Sequence, residues 1–396
     1  MTNKREQRYP LGSQVQLADL SRNPYPILKE LQAHEPLSWI PEQRLWFVTR
    51  RADMLAMLLD SASFTVVSPH SLLADTFGPT MLSTDGESQR KLRRPFNAPF
   101  APNYVQAHMT EAIAAQANCL IDQFIGEKQV DLKTAFADHL ALWTVTSMLG
   151  LPIHDFPTFR GWFTDIAHAL GNFINDPAIR QRGQQAAAAF GDYALPHLER
   201  MRRSPDGSVL CAVLQASEPL TEEELLSAAR VIIFGGLETT AAMFANTVWA
   251  LLTHPEQFAA VRANPALLTQ ALEESLRWEP PVQTCTRHVA RPAMIQGVEL
   301  EPGETVQCLV GAANRDPAHF TNPDLYDIAR QNARDHLSFA IGRHFCLGAA
   351  LARLEGEIGL RILFDRLPDL RLAPERPSAP EGHEFRSPPT LYALWG

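Results

Sequence analysis

Chemistry in this sequence concentrates at a few places, the first being FAIGRHFCLG, Phe339 to Gly348. There Cys346 stands in a glycine-punctuated loop that runs into the helical pattern AALARLE. A thiol just ahead of a helix start has its ionised form favoured by the helix dipole and by free backbone N–H groups, so the stretch suits a thiolate. Such a thiolate can attack a substrate, hold a metal or merely fill a gap, and the loop alone leaves all three open.

A second place is FGGLETT, Phe234 to Thr240, in the middle of the longest helical pattern, EEELLSAARVIIFGGLETTAAMFANTVWALLTH. Two adjacent glycines there cost roughly 1 kcal/mol each relative to alanine, and Glu238 puts a charge into an apolar segment. Close helix packing, with Glu238 reaching solvent, is the bland explanation. The functional one is that Gly235 and Gly236 open room for a flat or diatomic ligand while Glu238 and Thr239 form a carboxyl–hydroxyl proton relay.

Several cations also want an anionic partner. Arg90, Lys91, Arg93 and Arg94 crowd into STDGESQRKLRRPFNAPF, a pattern that is usually a solvated helix face. Arg277 follows Glu274 by three residues, so the two meet on one helix face. Arg287 follows a Pro-Pro corner at the entry to an expected strand, where a backbone-fixed guanidinium can hold a carboxylate bidentately.

The elements that position these groups are mostly helices. The first 60 residues read as a helix at NPYPILKELQAHEP, strands around LSWI and LWFVTR, and a helix at ADMLAMLL. Long helical patterns fill roughly 87–280; Thr221 with Glu224 offers a capping box for the longest, and Pro255 closes it. Further strands are expected at TRHVA, VELEPGETVQCLVGA and TLYALWG, placing the β portion mainly in 36–50, 285–310 and 385–396. With no repeat and no linker, the expectation is a single domain, 1–396, mainly α with a small β portion.

Composition narrows the function classes. The 396 residues are 45% hydrophobic and 20% charged, ordinary for a globular chain with a sizeable core, and the net charge of −9 does not suggest a nucleic-acid partner. The five cysteines are scattered and never form a CxxC pair, which argues against a disulfide framework or a zinc site and fits a reducing cytoplasm. The polar N-terminus and the lack of an uncharged apolar stretch of about 18 residues lead us to expect neither a signal peptide nor a membrane anchor.

In order and spacing, GGLETT (235–240), ESLR (274–277), the AANRDPAHFTNPDLYDIAR meander (312–330) and FAIGRHFCLG (339–348) resemble the bacterial soluble cytochromes P-450, which are haem-thiolate monooxygenases. The resemblance covers nearly the whole chain, and the cysteine loop is its most specific part. It implies the cytochrome P-450 fold around a buried haem b (iron protoporphyrin IX), with Cys346 as axial metal ligand. That its thiolate donates electron density to iron is a property of the family, not a reading of the spacing.

The resemblance assigns further roles. Gly342 and Gly348 let the loop pass close beneath the ring, and Phe339 packs on the thiolate side. Arg93, Arg287 and His344 match propionate contacts, with Gln89 and His336 as weaker matches. Gly235 and Gly236 face the cofactor, Glu238 and Thr239 match the acid–alcohol pair that delivers protons to dioxygen, and Glu274 with Arg277 is structural. Three departures stand out: Gln89 replaces the usual histidine, Ala340 the usual glycine, and Leu325 an arginine that in many members completes a triad with Glu274 and Arg277.

The implied activity is insertion of one oxygen atom from dioxygen into a C–H or double bond. Electrons are expected from a ferredoxin or flavodoxin-type donor with its NAD(P)H reductase, since no redox module follows the last helix. Arg90, Lys91, Arg94, Arg343 and Arg353 would form its acidic partner's docking face. Substrate contacts are expected in SLLADTFG (Leu72, Leu73, Phe77), around Phe163 to Phe173, at Ile233 and Leu237, in VQT (Val282, Thr284) and in SPPT (Pro389). These are mostly apolar, so a terpenoid, fatty acid, macrolide or aromatic molecule is expected, although many of the leucines and phenylalanines also suit a plain core. A cytoplasmic monomer is expected. The competing readings are a peroxide-driven hydroxylase or decarboxylase on the same fold, a non-catalytic haem-binding sensor or carrier, and a hydrolase with Cys346 as nucleophile, for which a His and Asp/Asn constellation is missing.

Overall fold

The longest helix, Glu222–Thr253, begins and ends where its sequence dictates. Thr221 accepts the Glu224 N–H (3.2 Å) and the Glu224 carboxylate accepts the Thr221 N–H (2.9 Å), a reciprocal cap that satisfies two otherwise free donors. The helix stops at Thr253, and Pro255 opens the next one, Pro255–Ala263. By length and composition Glu222–Thr253 could cross a membrane, yet 78% of its most apolar window is buried inside the protein, as a core helix requires. Around it pack His139–Leu149, Phe156–Leu170, Leu267–Trp278 and Ala349–Arg366. This computed structural model describes residues 2–172 and 175–396.

The main sheet has five strands in the order Leu37–Ile40, Leu45–Val48, Thr305–Leu309, Thr284–Val289, Phe64–Thr65. Only the pairing of Leu45–Val48 with Thr305–Leu309 is parallel. Leu45 and Phe47 enter one apolar cluster with Leu28, Leu31 and Leu309, while Trp46 and Val48 enter another with Met54, Val306 and Cys308. Both faces are thus covered, which explains why LWFV reads as a continuous apolar run without alternation. Register places Arg287 opposite Val306 and Cys285 opposite Cys308. A three-stranded sheet, Gln129–Asp131, Tyr392–Leu394, Arg371–Leu372, and the hairpin Ala293–Ile295 with Val298–Leu300 complete the β portion. The strands that sequence reading missed are two or three residues long, too short to show a period.

From Asn314 to Gly348 the chain folds with only two short 3-10 turns, Ala333–Asp335 and Gly342–His344. Buried arginines hold it. Arg277 donates to the carbonyls of Asn314 and Pro323 (2.9 Å each) and Leu325 (3.0 Å), and Arg330 to that of Thr321 (2.7 Å). Glu274, fully buried, accepts from Arg277 Nε and Nη2 at 2.7 Å each and from Arg330 Nε at 3.0 Å. The triad is complete despite Leu325: Arg330 supplies the second guanidinium, and Leu325 lies on the surface, 61% exposed.

Candidate active site

The cysteine loop is pinned from both sides. Cys346 N–H donates to the Phe339 carbonyl (2.9 Å), Arg93 Nη2 to that of Phe345 (2.7 Å), and Gln89 Nε2 to that of Arg343 (3.1 Å). Gly342 has φ +72°, and a Cβ there would lie 3.0 Å from the Leu58 carbonyl oxygen, so only glycine fits. Gly348 has an ordinary φ of −83°, so no turn demands glycine there, and a Cβ on it would meet nothing within 4 Å.

The backbone N–H groups of Gly348 and Ala349, where the helix Ala349–Arg366 opens, act on the Cys346 sulfur so as to lower its pKa. Burial pushes the thiol pKa up, while these two donors and the Arg93 and Arg353 guanidinia push it down. Burial outweighs them and the thiol pKa stays raised within the protein alone, so the polar surroundings oppose that rise without reversing it.

Three nearby cations or donors are incompletely matched within the protein. Arg287, 7% exposed, donates to the Thr286 carbonyl (2.8 Å), and no ion pair joins it to a carboxylate among the described residues. Arg93 likewise finds a carbonyl and no carboxylate there. His344 gives Nε2 to Asp85 (2.8 Å), while its Nδ1 is buried without a partner. Burial raises the Asp85 pKa, but hydrogen bonds from His344, Thr65 and Val66 outweigh it and bring it to about 2. A buried guanidinium without a counter-charge is costly, so this set fits a group bearing carboxylates, as haem does.

One expected propionate contact falls away. His336 uses both ring nitrogens, Nε2 toward Glu273 (3.0 Å) and Nδ1 accepting the Ser338 N–H (3.2 Å), so no donor is left. Gln89, 3% exposed, gives one of its two Nε2 hydrogens to the cysteine loop.

On the central helix the paired glycines part company. Gly235 is exposed in mid-helix, and a Cβ on it would meet nothing within 4 Å. Gly236 instead packs against His139–Leu149, where a Cβ would lie 2.8 Å from Val145, so the expectation that both glycines make room for a ligand holds geometrically for Gly235 alone. The Thr239 hydroxyl donates to the Gly235 carbonyl (2.5 Å) and not to Glu238.

Glu238 turns to Arg160, which also donates Nε to Asp138 Oδ2 (3.1 Å); Asp138 Oδ1 is buried without a partner. Lys133, on the π-helical turn Lys133–Asp138, holds Ser387 Oγ (2.8 Å) and the Pro388 carbonyl (2.9 Å). Burial raises the Glu238 pKa against the pull of Arg160, and Asp138 adds to the rise. A carboxyl so placed can hold a proton more readily than a solvated one.

The expected substrate contacts separate as well. Phe77 meets Phe234 (ring centroids 5.8 Å), Phe234 meets Phe385 (5.4 Å), and Val282 pairs in a β-bridge with Phe385. Leu72 and Leu73 are half-buried on the helix Leu72–Phe77. Ile233 and Leu237 have no exposed surface and belong to the packed core, as does Phe163. Thr284 is buried against Glu384 (2.6 Å), Pro389 faces outward, and Phe173 lies outside the described residues. Sequence reading missed Phe234, Phe385, Arg160 and Asp138. Phe234 and Glu238 share a helix face, a spacing that was legible.

Comparison with known proteins gives one answer. The family model for cytochrome P450 matches residues 165–368. The biotin biosynthesis cytochrome P450 of Bacillus subtilis is 32% identical over 375 residues, 92% of this chain and 94% of that protein. The crystal structure of P450BioI in complex with hexadec-9Z-enoic acid ligated acyl carrier protein is similar with a TM-score of 0.89 at 31% identity, covering 96% of this chain and 99% of that one. CYP109E1 from Bacillus megaterium in complex with testosterone has a TM-score of 0.88 at 26% identity, covering 96% and 100%.

Proposed function

Because the chain belongs to the cytochrome P450 monooxygenase family, we propose that it binds haem b through Cys346 and oxygenates a small to medium apolar molecule. The observation that carries this is the cysteine loop itself, pinned by Arg93, Gln89 and the Phe339 carbonyl so that Cys346 stands just ahead of the helix Ala349–Arg366. Haem, when bound, supplies the iron that activates dioxygen, with the thiolate as electron-rich ligand.

In this reading the chain's own residues do the rest. Arg93, Arg287 and the Nδ1–H of His344 hold the propionates. Gly235 lets a flat group or a small molecule lie against the central helix. The Thr239 hydroxyl would hold a proton at its Oγ1, and Glu238, protonated more readily because it is buried, would resupply it. Phe77, Phe234, Phe385 and Val282 present an apolar wall that orients substrate and excludes water. Terpenoid, fatty acid, macrolide and aromatic substrates suit such a wall.

A separate protein, a ferredoxin or flavodoxin with its NAD(P)H reductase, delivers the electrons. Its docking face is less basic than sequence suggested: Arg90, Lys91 and Arg94 pair with Glu87, Glu224 and Glu218. Arg353 is tied to Glu273, and Arg343 alone of the five has no acidic partner among the described residues. Exposed Leu59 and Phe345 add an apolar component beside the loop. We place the enzyme in the cytoplasm as a monomer.

The Glu238–Thr239 pair favours dioxygen over peroxide as oxidant. Thr239→Ala tests this: with surrogate redox partners, substrate oxidation per NAD(P)H consumed falls several-fold while peroxide release rises. Unchanged coupling would refute the proton role and favour a peroxide-driven enzyme.

A further inference from the structure

Glu273 lies beside the triad residue Glu274 but serves a different group. It is 1% exposed, on the helix Leu267–Trp278, and accepts from Arg353 Nε (2.5 Å) and Nη2 (3.0 Å) and from His336 Nε2 (3.0 Å); Arg334 Nε stands 3.8 Å away at the surface. Arg353 belongs to the helix that follows the cysteine loop, and its guanidinium carbon sits 4.4 Å above the Phe339 ring. His336 packs on the same ring with centroids 5.6 Å apart. The Phe339 carbonyl accepts the Cys346 N–H, and the Arg353 charge acts on the Cys346 sulfur.

The protonation states are consistent with this geometry. Burial raises the Glu273 pKa, but His336 and Arg353 outweigh it and hold it at about 2, so the carboxylate is ionised. Burial lowers the His336 pKa, and its contacts match a neutral ring: Nε2–H donates to Glu273 and bare Nδ1 accepts the Ser338 N–H. The imidazole therefore adds no charge, and Glu273 and Arg353 form a fixed, opposed pair next to the thiolate. Nothing in the oxygen or substrate chemistry above uses this pair.

We propose that Glu273 is a positioning residue that sets the charge felt by Cys346, clamping Arg353 onto the Phe339 ring and offsetting part of its positive field. The inference rests on the haem-thiolate reading. A merely structural tie between two helices would loosen the loop whichever partner were removed. An electrostatic pair acts with opposite signs, because removing the carboxylate leaves a bare cation by the sulfur and removing the guanidinium leaves a bare anion.

The test is the ferric–ferrous midpoint potential of the haem-loaded full chain, measured by spectroelectrochemistry for wild type, Glu273→Gln, Arg353→Gln and Arg353→Lys. The expected result is a rise for Glu273→Gln, a fall for Arg353→Gln, and a return toward the wild-type value for Arg353→Lys, which keeps the charge. Shifts of the same sign in the two glutamine variants, or no shift in either, would overturn the inference while leaving the haem-thiolate reading intact. Should Arg353→Gln not fold, Glu273→Gln against Arg353→Lys decides: a rise in the first alone supports the proposal, and equal shifts overturn it. A wild-type protein whose reduced, carbon-monoxide-bound spectrum lacks the thiolate band would overturn the haem-thiolate reading, and this inference with it.

Discussion

Ala340 holds φ +52° in the cysteine loop, a conformation that costs an L-residue about 1–2 kcal/mol and glycine almost nothing. The methyl group is half-buried against the cluster around Leu337 and Met57, so removing it forfeits little packing. After the entropy that glycine loses on folding, Ala340→Gly should stabilise the fold by about 0.5–1 kcal/mol. Thermal unfolding checks this, and a lowered melting temperature would show that the methyl contact outweighs the strain.

Glu355 is a second residue out of balance. It is 2% exposed on the helix Ala349–Arg366, with Oε1 unpartnered, and burial raises its pKa to about 8 against a weak opposing contact from Thr144. A carboxyl whose folded pKa exceeds the unfolded value of 4.5 contributes stability that is fully present below pH 4.5 and lost as pH rises toward 8, at about 1.4 kcal/mol per pH unit. Glu355→Gln removes that titration. Its melting temperature relative to wild type should climb between pH 5 and pH 8, and a constant difference would mean the carboxyl is solvated.

At the scale of elements, the central helix assigns its two glycines to different neighbours. Gly236→Ala should destabilise the protein by about 1–3 kcal/mol, because the added methyl meets Val145 at 2.8 Å on a buried helix face. Gly235→Ala should fold at least as stably as wild type, gaining helix propensity, while shifting the spectrum of the haem-loaded protein. Equal effects on stability would contradict the assignment of one glycine to packing and the other to the site.

The same helix shows what sequence could reveal. Its ends were legible because capping residues and proline act locally, and so was its glycine-marked centre. Its faces were not: a helix apolar all round carries no moment, so Ile233 and Leu237 looked as suitable for a pocket as Phe234. Arg330 was missed as the partner of Glu274 because an irregular meander has no period to fix which residue turns inward. Glu273 and Arg353 meet across 80 residues, a pairing that no local spacing announces.

The whole molecule gathers its site from segments scattered through the chain: 85–93, 138–160, 234–239, 273–287 and 336–353. Helices carry Arg93, Glu238, Thr239, Glu273 and Arg353, the irregular segment before Gly348 carries Cys346 and His344, and the five-stranded sheet presents Arg287. One face is organised around the Cys346 sulfur, its helix N-terminus and the Glu273–Arg353 pair. The other carries Gly235, the Thr239 hydroxyl and the Glu238–Arg160–Asp138 chain, in which one guanidinium serves two carboxylates. On this account the two faces have separate tasks, supply of electron density and supply of protons, joined by the bound haem.

The most direct test is the absorption spectrum of the reduced, carbon-monoxide-bound, haem-loaded full chain. The account predicts a Soret band displaced far to the red of that given by histidine-ligated haem, lost in Cys346→Ser while the chain still folds. An undisplaced band with Cys346 intact, in protein whose folding is verified by circular dichroism, would contradict the assignment of Cys346 as the thiolate ligand.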